Sequence, residues 1–187
     1  GQDWEGPIVT GVAARHPRRV AGVVLANTAV LVPQRPRGAL FHRLARLPVV
    51  SDLLFRLLGV PQIMLHRAQA DRASISGDVA RAYRWPLRGW KRRAAPLALA
   101  RMVPDSREHP TIPELARGEE WLRGFGGPAE LVWGLRDPIL GRALEKHRDA
   151  LPHARVSQTE RAGHFLQEEV PELLAAAVRR VAGKSSR

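Results

Sequence analysis

Three polar residues that lie far apart in the sequence are the candidates for catalytic chemistry. Asp3 stands in the opening stretch GQDWEGP, which is similar to the sharp strand-to-helix turn that exposes a nucleophile among small residues. A helix beginning at Trp4 would direct its free N–H groups and the positive end of its dipole at the Asp3 carboxylate. By itself, this short stretch favours the simpler interpretation that Asp3 only caps a helix.

The other two candidates lie in the last third of the chain. Asp137 follows a predicted strand in the stretch WGLRDPILG, at the strand end where open α/β sheets place their sites. His164 lies in AGHFLQEE, on a glycine-marked loop ahead of the last predicted helix. Taken one at a time, Asp137 is equally typical of a turn residue and of a catalytic acid, and His164 of a surface histidine and of a catalytic base. Together with Asp3, they occur in the chain order of nucleophile, acid and histidine that α/β-hydrolases use.

Helices and strands alternate around these residues. Apolar residues at helical spacing predict a first helix that His16-Pro17 ends, and the apolar run Val20–Ala26 predicts a strand buried on both faces. From Pro33 to Pro104, leucines interrupted by prolines and glycines predict short amphipathic helices and no strand. The remaining pattern predicts, in order, a helix at 112–125, a strand at 129–133, a helix at 141–150, a strand at 154–158, a helix at 171–181 and a frayed tail at 183–187.

Composition narrows the classes of function. The chain has 187 residues, 44% of them hydrophobic, so it is long enough for a sizeable core. The sequence contains no uninterrupted run of about 18 apolar residues, so we expect no membrane-spanning helix. The absence of cysteine excludes disulfides, thiolate metal sites and cysteine catalysis, and it is compatible with a reducing cytoplasm. The formal charge is +12, but the arginines are scattered without interleaved aromatic residues, so we interpret them as a solvated surface and expect no nucleic-acid partner.

The motifs together resemble the haloalkane dehalogenase family of the α/β-hydrolases. The likeness runs over essentially the whole chain, and it is most specific at Gln2-Asp3-Trp4 and at Gly163-His164-Phe165. No Gly-x-Ser-x-Gly occurs, which disfavours a serine esterase or lipase. The resemblance implies the C-terminal part of an α/β-hydrolase fold: an incomplete, mostly parallel sheet with flanking helices, core segments at 1–32 and 109–187, and an inserted helical cap at 33–108.

The resemblance also implies a role for each candidate residue. Asp3 would be the nucleophile that forms an alkyl ester with a haloalkane, Asp137 the acid that orients the histidine, and His164 the base that activates water to cleave the ester. Trp4, next to the nucleophile, would hold the halide, and Phe165 would contact the substrate. The family's second halide ligand is either a tryptophan of the cap, for which Trp85 and Trp90 are the candidates, or an asparagine ahead of the elbow; neither tryptophan falls clearly at the family position, and both are equally typical of packing residues. The partners would be a small halogenated alkane and water, and no metal or organic cofactor is required.

The sequence departs from the family pattern at the elbow. Glu5 stands two places after Asp3, where the family has a small residue, so we expect a second carboxylate to crowd the turn and Glu5→Gly to raise turnover. The family also has strands ahead of the elbow and a loop there that supplies another oxyanion-hole N–H group. We therefore expect these 187 residues alone to be inactive and poorly folded, with exposed strand edges.

Other functions remain open on the sequence alone. An epoxide hydrolase also attacks with an elbow aspartate, but it needs two tyrosine hydroxyls, and Tyr83 is the single tyrosine of this chain. A catalytically inactive α/β-hydrolase used for binding, or an inactive fragment, is a second alternative that Glu5 supports. A basic nucleic-acid-binding module is the third, and a steeply salt-dependent affinity for DNA would identify it.

Overall fold

The chain folds into two compact units in a computed structural model that describes residues 1–185. The first unit comprises residues 1–32, the short segment 68–71, and the chain from Pro113 onward. The second comprises Pro33–Arg67 and Arg72–Ile112. Residues 68–71 lie inside the stretch expected as a helical insertion, yet they cluster with the first unit.

A parallel sheet of four strands forms the centre of the first unit, with the strand order β1-β2-β3-β4. The strands are β1 (Gln2–Asp3), β2 (Val23–Thr28), β3 (Ala129–Gly134) and β4 (Arg155–Thr159). Every residue of β3 is buried, as expected for a central parallel strand covered on both faces. The α/β class with a mostly parallel sheet is therefore confirmed.

Helices alternate with these strands and cover both faces of the sheet. They are α1 (Glu5–Arg15), α7 (Ile112–Gly124), α8 (Leu144–Ala150), α9 (Leu166–Glu169) and α10 (Pro171–Ser185). The five α-helices between α1 and α7 in the chain belong to the second unit. On one face, Leu25 and Leu131 pack with Leu122 and Trp133 in a buried cluster. On the other face, Ala26 and Val132 pack with residues of α9 and α10. This alternation of neighbouring strand residues between two cores follows from the two-residue period of a strand.

Several element bounds differ from the sequence prediction. Strand β2 begins at Val23, because Pro17–Arg19 form a 3-10 turn and pairing with β3 starts only at Val23↔Ala129. The strand β1, which pairs through Gln2↔Ala26, was not predicted. The predicted helix at 141–150 opens as a 3-10 turn, with Ala143 N–H bonded to Leu140 O, before α8 starts.

The prediction of a frayed tail at 183–187 is wrong for residues 183–185. Helix α10 continues to Ser185, since the alanines and arginines along it are strong helix formers. Positions 186–187 lie outside the described residues. Within residues 1–185, no helix is both long enough and apolar enough to cross a membrane.

The second unit consists of short helices and turns, as the proline-broken pattern predicts. Its α-helices are α2 (Leu40–Leu44), α3 (Val60–Ile63), α4 (Gly77–Arg84), α5 (Gly89–Arg92) and α6 (Ala94–Met102), and residues Asp52–Leu57 form a π-helical turn. Phe55 is the largest residue of its core and is buried with Ala45, Leu97 and Ala100. At Gly59 the backbone turns with φ +63°, a conformation that glycine adopts without strain.

Candidate active site

Asp3 is the last residue of β1, where the backbone makes a strained turn into α1. Its φ of +48° is uncommon for a residue with a side chain, and such strain is concentrated at functional sites. The hydroxyl of Thr28 donates a 2.6 Å hydrogen bond to the backbone oxygen of Asp3, which ties the turn to the end of β2. Asp3 is therefore held at the end of the sheet, with 44% of its side chain exposed.

Close packing in this turn occurs at Gly1 and Gly6. A Cβ atom on Gly1 would lie 2.8 Å from the backbone of Glu5, and a Cβ atom on Gly6 would overlap the side chain of Thr28. Glu5 itself is exposed, and its carboxylate lies 3.4 Å from the backbone N of Gln2. The close contacts in this turn thus involve Gly1 and Gly6, and the expected crowding by the exposed Glu5 carboxylate stays a prediction.

His164 lies between the two aspartates. Its Nδ1 atom is 2.9 Å from Oδ2 of Asp137, and its Nε2 atom is 3.8 Å from Oδ2 of Asp3. The second distance is too long for a hydrogen bond, so the contact with Asp3 is electrostatic. The side chain of Asp137 is fully buried, and its other carboxylate oxygen accepts a 2.7 Å hydrogen bond from Ile139 N–H. The three residues predicted from the sequence are therefore in one place.

The charge on the two aspartates changes the proton affinity of the histidine. Burial lowers the pKa of His164, but the hydrogen bond to Asp137 and the nearby carboxylate of Asp3 outweigh burial and raise this pKa to about 9. Asp137 also fixes the ring, because a carboxylate that accepts from Nδ1–H leaves Nε2 directed at Asp3. Neutralising Asp3 would remove one of the two charges that favour the imidazolium form.

Asn27 is a positioning residue whose role sequence reasoning missed. It is fully buried at the end of β2 with a φ of +32°. Its amide donates a 2.7 Å hydrogen bond to Gly163 O and accepts a 2.9 Å bond from Gly134 N–H. These bonds connect the loop before His164 with the strand that leads to Asp137. The available signal was a polar residue at the end of an otherwise apolar strand.

The segment 68–71 holds the histidine loop from a second side. His164 N–H donates to Ala68 O at 2.8 Å, and the side chain of Gln69 accepts from Phe165 N–H at 2.8 Å. The Glu169 carboxylate accepts from the N–H groups of Gly163 and Asp71, each at 2.6 Å. The roles of Gln69 and Glu169 were also missed, and no local pattern distinguishes these residues from other polar residues in the sequence.

Gln2 adds a direct connection between the nucleophile turn and the histidine loop. Its side-chain amide donates a 2.9 Å hydrogen bond to His164 O. Phe165 packs the edge of its ring against the His164 ring, with the centroids 4.8 Å apart. Trp4 is half-buried directly after Asp3, and within the described residues its indole N–H has no hydrogen-bond partner.

The two other predicted tryptophans lie in the second unit. Trp85 is 60% exposed in the 3-10 turn Trp85–Leu87, with the guanidinium of Arg88 3.7 Å from its ring centroid. Trp90 in α5 is 44% exposed and stacks in the same way with Arg56, at 4.1 Å. Each ring thus has an arginine against one face. Their predicted role in halide binding stays a prediction.

Across the part of the chain that the structure describes, no group of three or more histidine, aspartate and glutamate side chains is placed to hold a metal ion.

Comparison with known proteins relates the chain to two kinds of enzyme. No family model matches it. It is 32% identical to a haloalkane dehalogenase of Mycolicibacterium paratuberculosis over 181 residues, which is 92% of this chain and 56% of that protein. It is 26% identical to a cis-3-alkyl-4-alkyloxetan-2-one decarboxylase of Shewanella oneidensis over 176 residues, 91% of this chain and 54% of that protein. The chain thus spans about half the length of these curated relatives.

A solved structure agrees with the first of these similarities. The crystal structure of the haloalkane dehalogenase DbeA from Bradyrhizobium elkani superposes with a TM-score of 0.80 at 25% identity, covering 99% of this chain and 65% of that one. In sequence and in fold, the chain is a haloalkane dehalogenase-like α/β-hydrolase.

Proposed function

We propose that this chain carries the catalytic residues of a hydrolase that cleaves carbon–halogen bonds. In the first step, the Asp3 carboxylate attacks the halogen-bearing carbon in line, so that a C–O bond forms as the carbon–halogen bond breaks. The products of this step are an alkyl ester on Asp3 and a free halide. The support for a carboxylate nucleophile is the strained, half-exposed position of Asp3 at the start of α1.

In the second step, water cleaves the ester. Once esterified, Asp3 is neutral, which lowers the pKa of His164, so the imidazolium releases a proton to solvent and Nε2 can then accept a proton from water. The hydroxide attacks the ester carbonyl of Asp3, and the leaving alkoxide takes the proton from His164 to become the alcohol. The carboxyl group formed on Asp3 then gives its proton to His164, which regenerates the carboxylate and the imidazolium. Asp137 keeps the ring oriented and stabilises the imidazolium form throughout, which its 2.9 Å bond to Nδ1 supports.

The halide that leaves needs a hydrogen-bond donor in a site that excludes water. The indole N–H of Trp4 is suited to this role because it follows the nucleophile directly and donates to no described protein group. The positive end of α1, an eleven-residue helix that begins at Glu5, adds favourable potential for an anion near Asp3. Phe165, packed on His164, would provide an apolar wall for the alkyl chain.

The single observation that carries this proposal is the row Asp3–His164–Asp137, with the imidazole between two carboxylates. The test is release of bromide from 1-bromobutane by the wild type, by Asp3→Ala and by His164→Phe. We expect Asp3→Ala to release none and His164→Phe to stop after one bromide per protein, with the butyl group retained as a mass increase on Asp3. Bromide release that is unchanged in Asp3→Ala would contradict the proposal.

A second candidate function is the decarboxylation of a β-lactone, which the similarity to the oxetanone decarboxylase favours. The same attack by Asp3 on a saturated ring carbon would open the lactone C–O bond and leave a carboxylate two carbons away. Loss of carbon dioxide would then form an alkene as the C–O bond to Asp3 breaks, which regenerates the Asp3 carboxylate without water. This route therefore uses Asp3 but does not require His164 as a base.

His164 distinguishes the two candidates. If the protein is a dehalogenase, His164→Phe ends turnover of 1-bromobutane after a single bromide. If it is a β-lactone decarboxylase, alkene formation from a cis-3,4-dialkyloxetan-2-one continues over many turnovers in the same variant. Asp3→Ala abolishes both reactions. The relatives reported above do not favour an epoxide hydrolase, and the single tyrosine of the chain agrees with this.

A further inference from the structure

The second unit contains a cavity that neither proposed reaction uses. It has a volume of about 210 Å³ and lies between the turn at Gly59, helix α3 and the segment from α4 to Arg93. Its lining residues are Gly59, Gln62, Ile63, Arg81, Arg84, Leu87, Arg88 and Arg93. Four of these are arginines and, among the described lining residues, none is acidic. The cavity therefore attracts anions.

A buried amide lies on the wall of this cavity. Gln62 is 6% exposed, and within residues 1–185 neither its Nε2 nor its Oε1 atom has a hydrogen-bond partner. A buried amide without partners is costly, and such groups are few in folded proteins. Gln62 thus presents the two N–H donors of Nε2 and the acceptor Oε1 to a ligand in the cavity.

The backbone at Gly59 keeps space for this amide. A Cβ atom on Gly59 would lie 2.9 Å from Oε1 of Gln62 and 3.1 Å from Cζ of Arg93. Arg93 is itself fixed, because its Nε donates to Leu87 O and its Nη1 to the backbone oxygens of Arg56 and Leu57. Its Nη2 group has no partner among the described residues. Arg93 and Gln62 are thus a preorganised pair of donors.

The other arginines differ in how strongly they are engaged. Arg81 forms an ion pair with Asp78, and Arg88 lies over the ring of Trp85. The side chain of Arg84 is exposed and makes no ion pair or hydrogen bond within the described part of the chain. A guanidinium with free N–H groups can bind two oxygens of an oxyanion at once. Arg84 is therefore the residue of this group that a ligand can recruit at the least cost.

We propose that this cavity binds a phosphate group that retains a proton. Guanidinium groups match its charged oxygens, Nε2 of Gln62 donates to another oxygen, and Oε1 of Gln62 accepts from its remaining O–H. Inorganic phosphate keeps at least one O–H at neutral pH, whereas sulfate keeps none and would leave Oε1 unsatisfied. The amide thus predicts a preference for phosphate over sulfate that charge alone would not produce.

The test is calorimetric titration of the protein with sodium phosphate and with sodium sulfate at equal ionic strength. We expect saturable binding of phosphate, with sulfate at least about tenfold weaker. A parallel titration with glycerol 2-phosphate tests the need for this proton, because the second pKa of a phosphoester, about 6, leaves the group mostly without an O–H at neutral pH. We expect it to bind more weakly than inorganic phosphate, and equal or tighter binding would contradict the role of Oε1. Absence of saturable phosphate binding, or equal affinity for phosphate and sulfate, would overturn the proposal.

Two variants separate ligand binding from a purely structural role. Gln62→Leu removes the unpaired amide, so we expect a higher Tm without phosphate and an affinity for phosphate at least about tenfold lower. Arg84→Ala should also weaken phosphate binding about tenfold. Its matched control is Arg92→Ala, which removes the same charge from an exposed position outside the cavity and should change the affinity less than about twofold. An unchanged phosphate affinity in both Gln62→Leu and Arg84→Ala would refute the site independently of any enzymatic activity.

Discussion

Nε2 of His164 lies 3.8 Å from Oδ2 of Asp3, which is close enough for strong electrostatic coupling and too far for a hydrogen bond. The proton affinity of the histidine therefore depends on the charge of the aspartate. The proposed reaction uses this dependence, because esterification neutralises Asp3 at the moment when His164 must become a base.

The first prediction tests this coupling. Asp3→Asn should lower the pKa of His164 from about 9 towards its ordinary value, because the variant loses one of the carboxylates that favour the imidazolium. The measurement is an NMR titration of the His164 ring. Glu5→Gln is the matched control, since it neutralises an exposed carboxylate two residues along the chain and should leave the titration nearly unchanged. An identical pKa in Asp3→Asn and the wild type would show that the two residues are not coupled.

The second prediction concerns stability against pH. The pKa of His164 is about 9 in the folded chain and about 6.5 when unfolded, so the folded state binds the proton more tightly. Its contribution to the free energy of unfolding is complete below pH 6.5 and is lost as the pH rises towards 9. The difference between these pKa values corresponds to about 3 kcal/mol.

Urea unfolding at about pH 6 and pH 10 measures this loss. The wild type should lose more stability over this range than His164→Gln, which carries no titrating group at the position. Equal losses in the two proteins would show that His164 is not held as an imidazolium in the folded chain.

Much of the fold and of the site was predictable because the signals are local. The buried run in β3 and the helical spacing in α1 follow from side-chain periodicity, which needs no knowledge of distant residues. Parallel strands bring their carboxyl ends to one edge of a sheet, so the last residue of β1 and residues that follow β3 and β4 are expected to meet there. Asp3, Asp137 and His164 are these residues, and the structure brings them together.

The hydrogen bonds that support the site could not be predicted, because they join residues far apart in the sequence and leave no local signal. Asn27 bonds a residue 136 positions away, and Gln69 bonds one 96 positions away. Such pairs depend on the register of the sheet and on the path of the chain through the second unit, and neither leaves a periodic trace. Strand β1 has only two residues, which is too short for any alternation to appear.

The third prediction concerns Asn27. Asn27→Ala should lower the free energy of unfolding by about 1–3 kcal/mol, because it leaves Gly134 N–H and Gly163 O buried without partners. Turnover should fall as well, since the same bonds fix the approach to His164 and Asp137. Urea unfolding and initial rates measure the two effects.

Asn27→Gly is the control, because glycine removes any backbone strain from the φ of +32° without restoring the amide. Equal losses in Asn27→Ala and Asn27→Gly would assign the effect to the hydrogen bonds. Recovery of stability and turnover in Asn27→Gly would assign it to the backbone and remove Asn27 as a positioning residue.

The last prediction compares two adjacent residues in the nucleophile turn. In Gly6→Ala, the added methyl group would overlap the Thr28 side chain, whose hydroxyl holds the backbone oxygen of Asp3. We expect a loss of about 1–3 kcal/mol in stability and at least about tenfold in turnover, because a displaced nucleophile loses its aligned approach.

The matched variant is Glu5→Ala, which shortens an exposed side chain one position earlier. Its stability should change by about 0.5 kcal/mol or less and its turnover by less than about twofold. Glu5→Gly should likewise change turnover by less than about twofold, contrary to the expectation from the sequence, because the side chain that it removes is exposed. A clear gain of turnover in both Glu5 variants would instead mean that the second carboxylate disturbs Asp3 through its charge, since neither substitution relieves a steric contact.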